Sequence, residues 1–425
     1  MTINLRGPIA TLGALALGAA VLSACGSSGQ SNTAAASQGS GSFDTSACPA
    51  AATAAISGDT ITLGTSGPLS GPYASVGALT KAIQAYASLV DSQGGVDTVD
   101  GKKKLKIIAM DDQYTPSKVQ SNVRQMVEKD HVAGVLELVG TANAAAVAPY
   151  LNQQCVPELF PLAGAASLLS GRTPFTTIAS TYLDQGNAMG QFVAKHYPDA
   201  KVAVLYQNDD TGKDALSGFA AGAAGSKAHI VAKESYEVTD ADVKSQMTTL
   251  QSTKADVFVD LSLSVKCTQS LAALQASSWR PAVITGSMCS AGVVSAADAP
   301  DATSQMFRTN QTKSSPVKFA NDAAFKTFHD TLTAAGIAPG DAETAWLSFQ
   351  LGLAAIEKAT TLSSVGIAEA ARSLPADTSV PFAEDGIAVS STPGKPTLRA
   401  FTLDKWDGAN AQFVPTGETP YQVSN

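Results

Sequence analysis

The sequence predicts an α/β protein of two Rossmann-like, doubly wound lobes, and three observations lead there. Short apolar runs alternate with segments of helical period from Ile61 onward. That rhythm breaks at Gly171–Ser180, around Pro174, and then restarts. The folding part, about 375 residues, is long for a single core.

Each element follows from its pattern. Ile61–Thr65, Leu105–Met110, Val132–Val139 and Val156–Ala163 are continuous apolar runs of the kind that parallel strands buried on both faces require. Between them Leu79, Ile83, Tyr86, Ala87 and Val90 recur at helical spacing, as do Val119, Val123, Met126 and Val127. A further helix is expected from Thr141 to just before Cys155. After the break come a helix at Tyr182–His196, a strand at Val202–Tyr206 and a helix from about Lys213. Strands at Ile230–Ala232, Val257–Leu263 and Ala282–Thr285 complete the second unit. Val317–Ala335 is amphipathic, and Ala342–Ala359 is apolar nearly all round, so it belongs in a core. Ile367–Leu374 reads as a short helix. From Gly386 to Val414 the chain alternates, with turns at Pro393-Gly394 and Asp407-Gly408, as an antiparallel hairpin does.

The first residues concern address. Arg6 precedes an apolar run, Ile9–Val21, too short to span a bilayer comfortably, and small residues follow, which is the layout of a secretory signal over 1–24. Leu22-Ser23-Ala24-Cys25 resembles a bacterial lipobox, in which the chain is cut before Cys25 and the thiol is acylated. Residues 25–58 then read as anchor and tether, Gly26–Ala47 being almost wholly Ser, Gly, Ala, Gln and Thr. An extracytoplasmic chain on the outer face of the membrane is the expectation. A net charge of -8 argues against nucleic acid as a partner. Lys102, Lys103, Lys104 and Lys106 cluster beside a turn at Asp100-Gly101, as a solvated hairpin does.

Without Cys25, four cysteines remain in an oxidising compartment, which allow three pairings. Cys267 with Cys289 is favoured, because both follow successive strands of one sheet; Cys48 with Cys155 is then the second pair. No CxxC pair, no neighbouring His and no metal spacing are present, so neither a metal nor a cofactor is expected. The chain also lacks GxSxG, GxGxxG, Walker and HExxH patterns, which leans away from an enzyme. Asp209, Asp210 and Asp214 crowd one strand-to-helix turn, where capping accounts for them.

In open α/β sheets, ligands collect at the carboxyl ends of the strands. The candidate turns are 66–73, which carries Ser70 and Tyr73, then 111–116 with Asp112, and 140–143 with Thr141 and Ala142. Thr141 is expected to cap its helix and to bond an anionic group.

The stretches ITLGTSGPLSGPYASVG, KIIAMDDQYTPSKVQSNVRQMVEKDHVAGVLELVG and VAPYLNQQCVPELFPLAG resemble the substrate-binding proteins of branched-chain amino-acid ABC transporters, of the type I periplasmic-binding fold. The resemblance covers about Thr60 to Val414. It implies two lobes joined by three hinge crossovers, near Phe175–Ser180, Phe307–Thr312 and Pro375–Pro381. Lobe I would be 59–177 with 311–377, and lobe II 178–310 with 378–425. It implies a small-molecule ligand, an ABC permease as partner and a monomeric protein.

By the same resemblance Thr141 holds a ligand carboxylate, Ala163 matches a small family residue, and Gly164 stands where the family has Thr. Thr211 stands in place of a Tyr, and Met288 in place of the acid that pairs with a ligand ammonium. Asp210 and Asp112 are the candidate substitutes for that acid. Ser262 and Ser264 complete the expected site. A carboxylate-bearing solute, an amino acid or a relative, is the expected cargo, with a solute lacking a free ammonium favoured by Met288. A ligand sensor of the same fold and an extracytoplasmic hydrolase are the alternative classes.

Overall fold

The first apolar runs pair as predicted. β1 (Thr60–Gly67) is central and lies parallel to β2 (Lys104–Asp111) on one side and β3 (Gly134–Leu136) on the other. β4 (Glu158–Leu159) and β5 (Thr176–Thr177) extend the sheet in the order β2-β1-β3-β4-β5. The computed structural model of the chain describes residues 44–71, 73–169, 174–390, 392 and 394–423, which all belong to one compact unit. The predicted signal, Cys25 and the tether up to residue 43 lie outside them, as do Pro72 and Pro393 of two predicted turns.

β3 and β4 stop short of the predicted runs for a local reason. Glu137 and Phe160 take left-handed backbone angles, φ 51° and 48°, which end the ladder. The stretch predicted as tether up to residue 58 is structured in its last part. A short helix α1 (Ala50–Thr53) follows Cys48, which is bonded to Cys155, and the Ile56 N–H donates to Leu362 O at 2.8 Å.

Helices α2 (Gly77–Ser92), α3 (Pro116–Glu128) and α4 (Thr141–Gln154) flank the first sheet. The second sheet follows the helix α5 (Tyr182–His196). Its parallel part comprises β6 (Lys201–Gln207), β7 (His229–Tyr236), β8 (Val257–Leu261), β9 (Ala282–Thr285) and β10 (Met306–Asn310). Helices α6 (Asp210–Ala223), α7 (Lys244–Ser252), α8 (Val265–Gln275) and α9 (Ala291–Ala296) connect these strands. α5 and α6 approach until backbones touch: a Cβ on Gly186 would lie 2.0 Å from Ala215 O, and one on Gly218 2.0 Å from Leu183 O.

The chain then returns to the first lobe. α10 (Pro316–Phe319), α11 (Ala323–Ala334), α12 (Glu343–Lys358) and α13 (Ser364–Arg372) follow, and Phe328, Trp346, Phe349 and Ile356 share one core with Ile61, Leu63, Ile83 and Leu136. The same core takes Phe382, Ile387, Val389 and Leu398. The third crossing therefore falls at about Leu398–Ala400 rather than at Pro375–Pro381, because residues 382–398 bury their apolar side chains on lobe I. β11 (Ala400–Asp407) then pairs antiparallel with β10 and with β12 (Gln412–Pro415), around the predicted turn at Asp407-Gly408. β13 (Tyr421–Gln422) also pairs with β11. The second sheet runs β12-β11-β10-β9-β8-β6-β7.

The three crossings are bonded to one another. Leu398 N–H donates to Ala179 O at 2.6 Å and Gln311 Nε2 to Ala400 O at 2.9 Å. The second disulfide joins Cys267 and Cys289, so both bridges match the favoured pairing. Among the described residues, no helix is long and apolar enough to cross a membrane.

Candidate functional site

Each sheet reverses its winding at one point, between β1 and β3 in the first and between β6 and β8 in the second. Loops leaving a sheet there splay apart and leave a crevice at the strand ends. Here the two crevices face each other. Thr211, after β6, donates through its hydroxyl to Thr141 Oγ1, after β3, at 3.0 Å, and both residues are buried.

The first-lobe turns are built around two carboxylates. Asp111 Oδ1 accepts from the N–H groups of Leu69, Ser70 and Gln113, and its Oδ2 accepts from Ser70 Oγ at 2.5 Å. Asp112 is fully buried; it accepts from Ser66 Oγ at 2.8 Å and from the Tyr114 N–H at 2.7 Å. Burial pushes the Asp112 carboxyl up, against those hydrogen bonds. Gln113 and Tyr114 are both left-handed, φ 52° and 60°. The turn so formed brings Tyr114 against Gly140, where a Cβ would lie 2.7 Å from the ring. Tyr73 stacks on Tyr114 at 4.5 Å and donates to Val238 O of the other lobe at 3.1 Å.

Thr141 does not cap its helix. Gly140 is the N-cap, at φ 102°, and the Thr141 hydroxyl is instead committed across the cleft. Tyr182 closes the space behind it: a Cβ on Gly164 would lie 2.9 Å from Tyr182 Cδ2. The family Thr is therefore absent at 164 for a steric reason. Burial raises the Tyr182 hydroxyl well above its ordinary pKa, while a hydrogen bond with Thr141 works the other way.

Beside this closed patch the cleft holds open space. One small cavity, partly open to solvent, is lined by Ala163, Gly164, Tyr182, Gln185, Met288, Thr309, Glu343 and Thr344, among others. A larger neighbouring space runs between Ser75 and Leu79 of lobe I and Ser264, Thr268 and Val293 of lobe II. Ser287, Met288, Glu343 and Thr344 line both, so the two are continuous. A smaller recess under Thr211 takes Ser262 and, again, Met288.

Ala163, Gly164, Ser262, Ser264 and Met288 thus line open space, whereas Ser70, Tyr73, Asp112, Thr141, Ala142 and Asp210 do not line these cavities. Ala142 is exposed. Asp210 is exposed at the start of α6 and accepts from Ser167 Oγ at 3.2 Å, while Asp209 caps that helix by accepting from Gly212 N–H. Neither Asp112 nor Asp210 stands where it faces a solute in the cavities, since each is spent on its own loop or on the rim. Tyr182, Gln185, Thr309 and Glu343 were not among the expected residues. Glu343 opens a helix whose sequence reads only as core, and nothing local in the sequence marks it as cleft-facing.

Asp260, Cys267 and Cys289 lie close together, but both sulfurs are in the disulfide and offer no metal ligand.

Two lobes hinged on three adjacent crossings, with a lined cavity between their facing switch points, define a two-lobed ligand-binding protein. The chain belongs to the periplasmic binding protein family, whose model it matches over residues 60–408. A Leu/Ile/Val-binding protein homolog 3 of Brucella melitensis is 28% identical over 199 residues, 46% of this chain and 53% of that protein. The chain thus spans about half the length of the curated relative it matches. Among solved structures, a branched-chain amino acid ABC transporter protein from Thermus thermophilus with bound valine superposes with a TM-score of 0.75 at 14% identity, over 87% of this chain and 98% of that one. A solute-binding protein of an ABC transporter from R. palustris, in complex with benzoate, gives 0.70 at 19% identity, over 86% and 98%. At these identities the likeness is one of fold.

Proposed function

We propose that this chain is an extracytoplasmic solute-binding protein, held to the outer face of the membrane by lipid on Cys25, that delivers a small polar solute to an ABC importer. The observation that carries the reading is the meeting of the two switch points at Thr141 and Thr211, beside a cavity that both lobes line. A solute bridging that cavity touches both lobes and so favours the closed arrangement, which is how binding is converted into a shape a permease can read. The acyl group on Cys25 keeps the trap near the membrane by partition of its methylenes. The lobes are 59–177 with 311–398 and 178–310 with 399–425, acting as a monomer.

The expected solute carboxylate stays part of the proposal. To reach the Thr141 hydroxyl it displaces that of Thr211, an exchange of one hydrogen bond for a charge-assisted one.

The test is a thermal-shift screen of the soluble domain against amino acids, aromatic and short-chain carboxylates, amides and polyols. A ligand of the folded form raises the melting temperature by mass action. Hits that also reduce the radius of gyration in solution scattering support the trap; no hit in any class removes it. Membrane fractionation of wild type against Cys25→Ala tests the anchor, and retention of the variant in the membrane pellet overturns it.

A further inference from the structure

Two charged side chains of lobe II lie inside the protein against lobe I. Arg308 of β10 and Asp404 of β11 are in register on their antiparallel ladder and so share one face of the sheet. Both are buried, 1% and 0% exposed. Arg308 Nη2 donates to Glu343 Oε2 at 3.0 Å, an ion pair that crosses from lobe II to lobe I. Among the described residues, Arg308 Nε and Nη1 have no hydrogen-bond partner, and neither has Asp404 Oδ2. Asp404 Oδ1 accepts one long hydrogen bond, from the Thr402 hydroxyl at 3.5 Å. From lobe I, Glu343, Glu384 and Lys318 face Asp404. Lys318 is already committed, 2.6 Å from Glu384 and 3.7 Å from Asp385. A pocket partly open to solvent runs beside the pair, between Arg308 and Phe413 of lobe II and Ser314, His329 and Glu343 of lobe I. His329 lies 3.4 Å from Asp330 of its own helix, so its charge is met within lobe I.

From this geometry we propose that closing the lobes takes up a proton on Asp404, so that acid favours the closed form. The proposal rests on hinged closure and on no particular solute. Closure brings Glu343 to the guanidinium that Asp404 faces on its own sheet, and one buried cation then serves two carboxylates. Glu343 holds the direct ion pair, so the proton goes to Asp404, whose hydrogen bonding is poor. Opening withdraws Glu343 and leaves Arg308 to Asp404 alone, with Nε and Nη1 free to bond it, and the Asp404 charge returns. In agreement, burial, with Glu384 and Glu343 adding to it, pushes the Asp404 carboxyl up to about 7 while the interlobe pair is made, against Arg308 and Lys318. Its pKa is therefore higher in the closed form than in the open one. The contribution to closure is present below about pH 7 and is lost as pH rises through 7.

The experiment is solution scattering on the solute-free protein at pH 6 and pH 8. One proton linked to closure with a closed-form pKa near 7 lowers the ratio of closed to open molecules about tenfold over that interval. The expected result is a larger radius of gyration at pH 8. Asp404→Asn is neutral at both pH values and should keep the compact radius at both. Glu343→Gln is the second variant if Asp404→Asn fails to fold; it removes the interlobe ion pair and the competing acid together, and should be expanded and insensitive to pH. An equal wild-type radius at pH 6 and pH 8, or either variant shifting with pH as wild type does, overturns the proton coupling. Compaction by a solute from the thermal-shift screen without a pH response leaves the trap standing. If neither pH nor any solute changes the radius, hinged closure falls as well.

Discussion

The Thr211 hydroxyl donates to Thr141 Oγ1 at 3.0 Å, and this bond joins the two lobes at the point where both sheets reverse their winding. Thr211→Val keeps the volume and removes the donor. A neutral hydrogen bond of this kind contributes about 1 kcal/mol net. We therefore expect the ligand-free variant to open, with a larger radius of gyration in solution scattering. A carboxylate solute, which otherwise has to displace the Thr211 hydroxyl, should bind up to about fivefold more tightly.

Gly164 lies against Tyr182 so closely that no side chain fits. Restoring the family residue with Gly164→Thr should destabilise the protein by roughly 1–3 kcal/mol. Tyr182→Ala, added to it, should recover only part of that loss, because the Tyr182 backbone nitrogen also lies 2.9 Å from the added Cβ. Denaturant unfolding of the two single variants and the double variant measures the coupling; simple additivity would mean the clash is relieved some other way.

The α5–α6 crossing depends on glycine in the same manner. A Cβ on Gly218 would meet Leu183 O at 2.0 Å, and backbone cannot step aside as a side chain tip can. Gly218→Ala should cost roughly 2 kcal/mol or more even though alanine is the better helix former, by about 1 kcal/mol. A variant as stable as wild type in thermal unfolding would disprove the close packing.

Glu158 is fully buried in β4, with Oε2 accepting from Thr176 Oγ1 at 2.8 Å and Oε1 unpaired. Burial pushes its carboxyl up to about 8. The folded value lies above the unfolded one, so the stabilising effect of the neutral form is complete below about pH 4.5 and is lost as pH rises through 8. Roughly 3 kcal/mol is forfeited by pH 7. Glu158→Gln should therefore melt higher than wild type at pH 8 and show a flatter dependence between pH 5 and 8.

The disulfides should respond unequally to loss. Cys48–Cys155 closes a separation of 107 residues and Cys267–Cys289 one of 22. Loop-closure entropy assigns them about 5 and about 3 kcal/mol. Cys48→Ser should lower the melting temperature more than Cys289→Ser, in paired calorimetric scans.

Much of the architecture was legible because its causes are local. The run Ile61–Thr65 can only be a strand buried on both faces, and the all-round apolar character of Ala342–Ala359 demands a core. The strand ends were less legible, since nothing in the residue types of Glu137 and Phe160 announces a left-handed backbone. The third crossing was displaced because Phe382 and Leu398 can pack on either lobe as far as pattern is concerned. In the site, Ala163, Gly164 and Met288 line the cavity, whereas Asp112 proved to be the support of its own turn. Glu343 was invisible as a cleft residue, being one acid at the head of an apolar helix.

The sequence by itself determined the α/β rhythm, the two repeated units, the favoured cysteine pairing and the expectation of export, because hydrophobic period and residue type act over a few neighbours. Only the tertiary structure decided that Thr141 meets Thr211 and that Tyr182 fills the space above Gly164. It alone set the Glu343 carboxylate opposite Met288. Those relationships join residues 55 to 70 positions apart or bring separate lobes together, and they depend on how finished sheets and helices pack. The physical reason is that periodicity sets which face of an element is buried, while long-range packing sets what that face meets.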